Sequence, residues 1–169
     1  CPGRFEPPTI VVGGNELSIW RYVSSTREWQ SLLELASPTS TASSSARPIS
    51  SMLDVAWAPN VGRRFHLVAA TQNGGPLRVF RLSRNRNTND SSESKNKRDT
   101  QIELESSHDL TSDEQCWRCQ WNVTGTVLAS SGDGGLVRLW KCGTGGDWKC
   151  VSEVYGDMLS ASPNSLVQP

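Results

Sequence analysis

Apolar and polar residues alternate along this chain in short runs, each bounded by clusters of Gly, Asn and Asp. A period of two over roughly four to eight positions is the pattern of a half-buried β-strand. The most complete stretch predicts strand a at Cys116–Trp121, a turn at Asn122–Gly125 and strand b at Val127–Ser131. Gly132-Asp133-Gly134-Gly135 then makes a tight turn into strand c, Leu136–Lys141, and the Gly-rich Gly143–Gly146 leads to strand d, Trp148–Val154. Asp-Gly and Gly-Gly supply the positive φ that tight hairpin turns need.

The same pattern recurs. Trp20, Phe80 and Trp140 stand sixty positions apart and each closes a run of strand character: Leu17–Trp20, Leu77–Phe80 and Val137–Trp140. Val55–Asn60 can be laid over Cys119–Thr124, and His66–Thr71 over Thr126–Ser131. A repeat of four antiparallel strands with an aromatic at the end of strand c is the sequence form of a β-propeller blade. The fold class expected is therefore all-β, a WD-repeat β-propeller of about two and a half to three blades. Residues 1–36 read as a partial blade (strands b, c and d), 37–49 as a flexible Ser/Thr-rich loop and 50–106 as a second blade with a long c–d loop at 83–100. Residues 107–155 read as the last blade and 156–169 as a disordered tail. The two loops make the unit longer than the usual ~40–45 residues, and neither carries enough apolar surface to offset its ordering entropy. Propellers close at roughly 4–8 blades. With Cys1 in a strand-b region, the chain reads as the C-terminal part of a longer propeller.

Composition narrows the chemistry. Lys+Arg and Asp+Glu both number 17, so no net charge draws the chain to nucleic acid or membrane. No apolar run is long enough for a membrane-spanning helix. Cys116-Trp117-Arg118-Cys119 has the C-x-x-C spacing of metal sites, but strand alternation should send the two thiols to opposite faces. No second C-x-x-C follows, and the only histidines are His66 and His108, so no metal and no cofactor are expected. Unpatterned, odd-numbered cysteines suggest reduced thiols. Asn122-Val123-Thr124 and Asn89-Asp90-Ser91 match the N-glycosylation pattern, which matters only in secreted proteins. Lys95–Arg98 is basic but flanked by Glu93 and Asp99 in a chain of zero net charge, and reads as a solvated loop. No nucleophile–base pair stands outside structural positions, so no enzyme is expected.

The run Cys116–Lys141, with Asp147–Cys150 as its continuation, closely resembles the last blade of the Seh-type WD-repeat nucleoporin family. Ala58–Leu67 resembles that family's a–b connection in the preceding blade, and Val11–Gly14 with Ile19-Trp20 resembles the blade before it. The related Sec-type coat propeller fits less well at Asn122–Ser131 and Asn60–His66. The resemblance implies a non-enzymatic scaffold of the outer-ring, Y-shaped complex of the nuclear pore, supporting pore assembly and transport of protein and mRNA. It implies an open propeller that accepts a blade from a helical-solenoid nucleoporin, contacts with other outer-ring nucleoporins, and further pools at the kinetochore and in a lysosomal nutrient-sensing complex upstream of TOR. A peptide-reading WD-repeat adaptor is the rival of another class. In WD-type blades a d–a-loop His, a strand-b Ser, a b–c-turn Asp and the strand-c Trp share hydrogen bonds, and His108, Ser131, Asp133 and Trp140 occupy those places. The middle blade carries Asn73 and Phe80 at the corresponding Asp and Trp positions, so apolar packing should hold it instead.

Overall fold

The computed structural model describes residues 7–36, 51–85, 101–110 and 114–156. They form three antiparallel sheets and no helix. The first sheet contains β1 (Thr9–Gly13), β2 (Leu17–Val23) and β3 (Glu28–Ala36) in that order. The middle sheet contains β4 (Met52–Trp57), β5 (Phe65–Gln72), β6 (Leu77–Asn85) and β7 (Gln101–Asp109). The last contains β8 (Cys116–Trp121), β9 (Val127–Gly132), β10 (Leu136–Cys142) and β11 (Trp148–Tyr155). Each four-stranded meander runs in sequence order, as a propeller blade does. No helix of the structure is long and apolar enough to cross a membrane.

Two boundaries differ from the expectation. β6 continues through Ser83 to Asn85, its backbone laddered to Glu103, Ile102 and Gln101, so the c–d loop starts later than residue 83. β7 continues to Asp109, with Val79 opposite His108, so His108 belongs to the middle sheet and not to a loop entering the last one. The Ser/Thr-rich segment at 37–50, residues 86–100 and the tail beyond 156 lie outside the described residues, and so does Asn89-Asp90-Ser91.

The middle sheet is sandwiched. Val68, Ala70, Phe80 and Leu82 pack on Leu17, Ile19 and Leu35 of the first sheet. Leu67, Ala69, Leu77 and Val79 pack on Cys116, Cys119, Trp121, Leu128 and Trp140 of the last. Residues 67–70 therefore face alternate neighbours, and β5 is buried on both sides. Close approach of the first two sheets depends on Gly13, where a Cβ would stand 2.5 Å from Val55 Cγ2. Beside it, Met52 N–H donates to Gly14 O at 2.8 Å.

Candidate functional site

Side-chain hydrogen bonds join the middle and last sheets along their seam. At one end the Gln115 side chain bridges the sheets: Oε1 accepts from Gly74 N–H at 2.6 Å and Nε2 donates to Gln72 O at 3.0 Å. Midway, Asp54 Oδ2 accepts from Cys119 N–H at 2.9 Å, and Trp121 Nε1 donates to Ala56 O at 3.1 Å. At the far end Arg63 spans the gap, Nη1 to Gly125 O at 2.6 Å and Nη2 to Pro59 O at 2.7 Å. These groups stitch β4, the turn after it and the β5–β6 turn to β8 and its flanking turns, along the shared apolar core.

Local sequence puts Arg63 there. Asn60 Oδ1 accepts Arg63 N–H at 2.9 Å, closing a turn in which Gly62 takes φ 78°. Asn side chains favour such backbone-mimicking turns. Opposite, Asn122 closes the matching turn, its Oδ1 accepting Thr126 N–H at 2.8 Å and Val127 N–H at 3.1 Å while Nδ2 donates to Thr124. Gly125 has φ 65°, and a Cβ on it would fall 2.5 Å from both Pro59 O and Arg63 Nη2. Only glycine permits this contact.

Beside Arg63 the two sheets diverge into an open cleft of about 570 Å³. Phe65, Leu67, Val79 and Trp148 give it an apolar lining, and Trp148 meets Trp121 edge-on at 5.7 Å between centroids. Arg81 lies over the Phe65 ring at 3.8 Å and pairs with Glu105 at 3.0 Å. Arg63, Lys141, Asp147 and His108 complete the charged and titratable rim.

The four residues expected to share hydrogen bonds are placed as follows. Trp140 Nε1 donates to Ser130 Oγ at 2.9 Å in a buried bond, so the tryptophan's serine partner is the neighbour of Ser131. Alternation decides this. Ser130 lies with Leu128 on the face turned to the middle sheet, and Ser131 lies on the other face. Asp133 accepts from exposed Trp117 Nε1, and His108 lies on β7 at the cleft. In the middle sheet, residues 70 and 80, at the repeat positions of Ser130 and Trp140, are Ala and Phe, and both sit in an apolar cluster.

The cysteine expectation is corrected as well. Cys116 and Cys119 are buried on one face of β8, in the same core cluster. A β-bulge between Cys116 and Arg118 inserts Trp117 and reverses the alternation. Both thiols are free, and burial pushes both up from their usual range, Cys119 further, with Asp54 adding to it. Among the described residues no group of three or more His, Cys, Asp or Glu is placed to hold a metal.

Sequence reasoning did not find the stitching role of Asp54, Arg63 or Gln115. Only the Asn-x-Gly-Arg turn at 60–63 carries a signal, and by itself it reads as a connection.

Comparison with known proteins agrees with this architecture. No protein-family model matches the chain. Nucleoporin SEH1 of Danio rerio is 36% identical over 164 residues, covering 91% of this chain and 40% of that protein. Nucleoporin SEH1 of Xenopus tropicalis is 35% identical over 166 residues, 91% of the chain and 41% of the relative. Nucleoporin seh1 of Schizosaccharomyces pombe is 33% identical over 180 aligned positions, 98% of the chain and 48% of the relative. The chain thus spans less than half the length of these relatives.

Proposed function

The chain belongs with the Seh1-type WD-repeat nucleoporins, and from that premise we propose that it is part of a non-enzymatic scaffold of the nuclear pore. Identity of 33–36% across nearly the whole chain, to relatives from fish to fission yeast, is the observation that carries this reading. The physical character of the molecule fits it. Rigid sheets held by two apolar interfaces present turns and strand edges, and proteins dock on such edges by adding a strand. In this reading the protein sits in the outer-ring complex, where its open propeller takes a blade from a helical-solenoid nucleoporin. It supports pore assembly and the transport of protein and mRNA, with further pools at the kinetochore and in a lysosomal complex upstream of TOR. Tagging the endogenous protein tests it. Nuclear-rim signal and co-purification of outer-ring nucleoporins are expected. Recovery of vesicle-coat subunits alone, with no rim signal, would overturn the proposal.

A further inference from the structure

The cleft beside Arg63 has both walls among the described residues of this chain. Its volume falls in the range of pre-formed ligand sites, roughly 300–1,000 Å³. An arginine stays charged at any physiological pH and presents a planar fork of donors that matches a carboxylate. Both terminal nitrogens of Arg63 go to backbone carbonyls, its Nε is buried with no acceptor, and among the described residues no carboxylate pairs with it. Partial burial lowers the guanidinium from its usual range. Around it the rim carries Arg81 and Lys141 against Glu105 and Asp147, and Arg81 is already paired with Glu105. Among the described residues the rim therefore carries one more cation than anion, next to an apolar floor of Phe65, Leu67, Val79 and Trp148.

We infer that this cleft is a docking site for an extended peptide segment of a partner protein in which a carboxylate side chain is flanked by aliphatic ones. The carboxylate meets the Arg63–Lys141 side of the rim, and an aliphatic neighbour covers Phe65 and Trp148. Hydrogen bonds from charged donors to a carboxylate are about twice as strong as neutral ones, so the acid determines specificity while the apolar floor contributes area. The proposal holds whichever assembly the protein joins.

The test uses the full-length protein labelled with 5-fluorotryptophan, with the Trp148 resonance assigned by Trp148→Phe. The probes are the capped peptide acetyl-Gly-Leu-Asp-Leu-Gly-amide and its Asn counterpart. The Asp peptide is expected to shift the Trp148 signal saturably, the Asn peptide to bind about tenfold more weakly, a difference of about 1.4 kcal/mol. Lys141 is exposed, and Lys141→Glu should weaken the Asp peptide by a similar factor while leaving the melting curve unchanged. Equal binding of the two peptides overturns the proposal. So does a Trp148 signal that stays still at millimolar peptide, or wild-type affinity in Lys141→Glu. Displacement of the peptide by a single-stranded oligonucleotide that binds more tightly would assign the cleft to nucleic acid instead.

Discussion

A shift of a single residue decides what the last sheet's serines do. Ser130 and Ser131 are adjacent and chemically identical, yet one is 5% exposed and takes the Trp140 ring donor while the other faces away. Ser130→Ala strands a buried indole N–H, and an unsatisfied buried donor costs about 1–3 kcal/mol. Ser131→Ala leaves that bond intact and should change stability by less than about 0.5 kcal/mol. Denaturant melts of the two variants in the full-length protein distinguish them, and equal losses would show that the bond to Ser130 contributes nothing. The first sheet shows the same constraint from the other side. Trp20 pairs with Ile10 and faces away from the core, and its Nε1 turns to Ser18 Oγ on its own strand at 2.9 Å. An indole N–H finds what its face offers.

At the scale of the element, strands were legible and the joints between them were not. The β8, β9, β10 and β11 ranges lie within a residue or so of the sequence expectation, because alternation and Gly-rich turns are local signals. Bulges leave no comparable mark. One extra residue at Trp117 turned the cysteine pair from opposite faces to one face. The seam bonds are invisible for a different reason: Asp54 and Cys119 are 65 residues apart, with no period linking them. Asp54→Ala should nevertheless cost about 1–3 kcal/mol, since it leaves the Cys119 N–H without its acceptor. Amide exchange at Cys119 is the direct check, and unchanged protection there would contradict the assignment. Another joint is pH-sensitive. The hydrogen bond from Arg78 holds the Asp109 carboxyl below its usual value, against the opposing pull of burial, with the Arg78 charge adding to it. A depressed acid stabilises the fold fully above its unfolded value of about 3.9, and that contribution disappears as pH falls through the lower folded value. Arg78 and Asp109 are both substantially exposed, so the loss on acidification should stay under about 1 kcal/mol. Asp109→Asn should flatten the stability–pH curve below about pH 4, and an unaltered curve would mean that the pair does not form in solution.

For the molecule as a whole, the order of the sheets sets where its remaining apolar surface lies. The middle sheet covers one face of each neighbour, which leaves the far faces open. On the first sheet Ile10 and Val12 are each 43% exposed, beside Trp20. On the last, Val137 is 36% and its cross-strand partner Val154 is 53% exposed. In a repeat architecture such faces are covered by neighbouring units, and each interface supplies much of the stabilisation that offsets chain entropy. Two interfaces are present here, so a chain of residues 1–169 expressed alone has two sticky faces and a modest margin of stability. It should associate with a strong dependence on concentration and melt with low cooperativity. Charge placed on the open faces should reduce this: Val12→Lys with Val137→Lys, which sets like charges against each other in a head-to-tail contact, is expected to move the sedimentation profile toward monomer, while a single charge on one face has a smaller effect. Sedimentation velocity over about a tenfold concentration range reads it out. A monodisperse, cooperatively melting monomer of the unmodified chain would show that these faces are not covered by neighbouring units in the native propeller, and that two interfaces are enough.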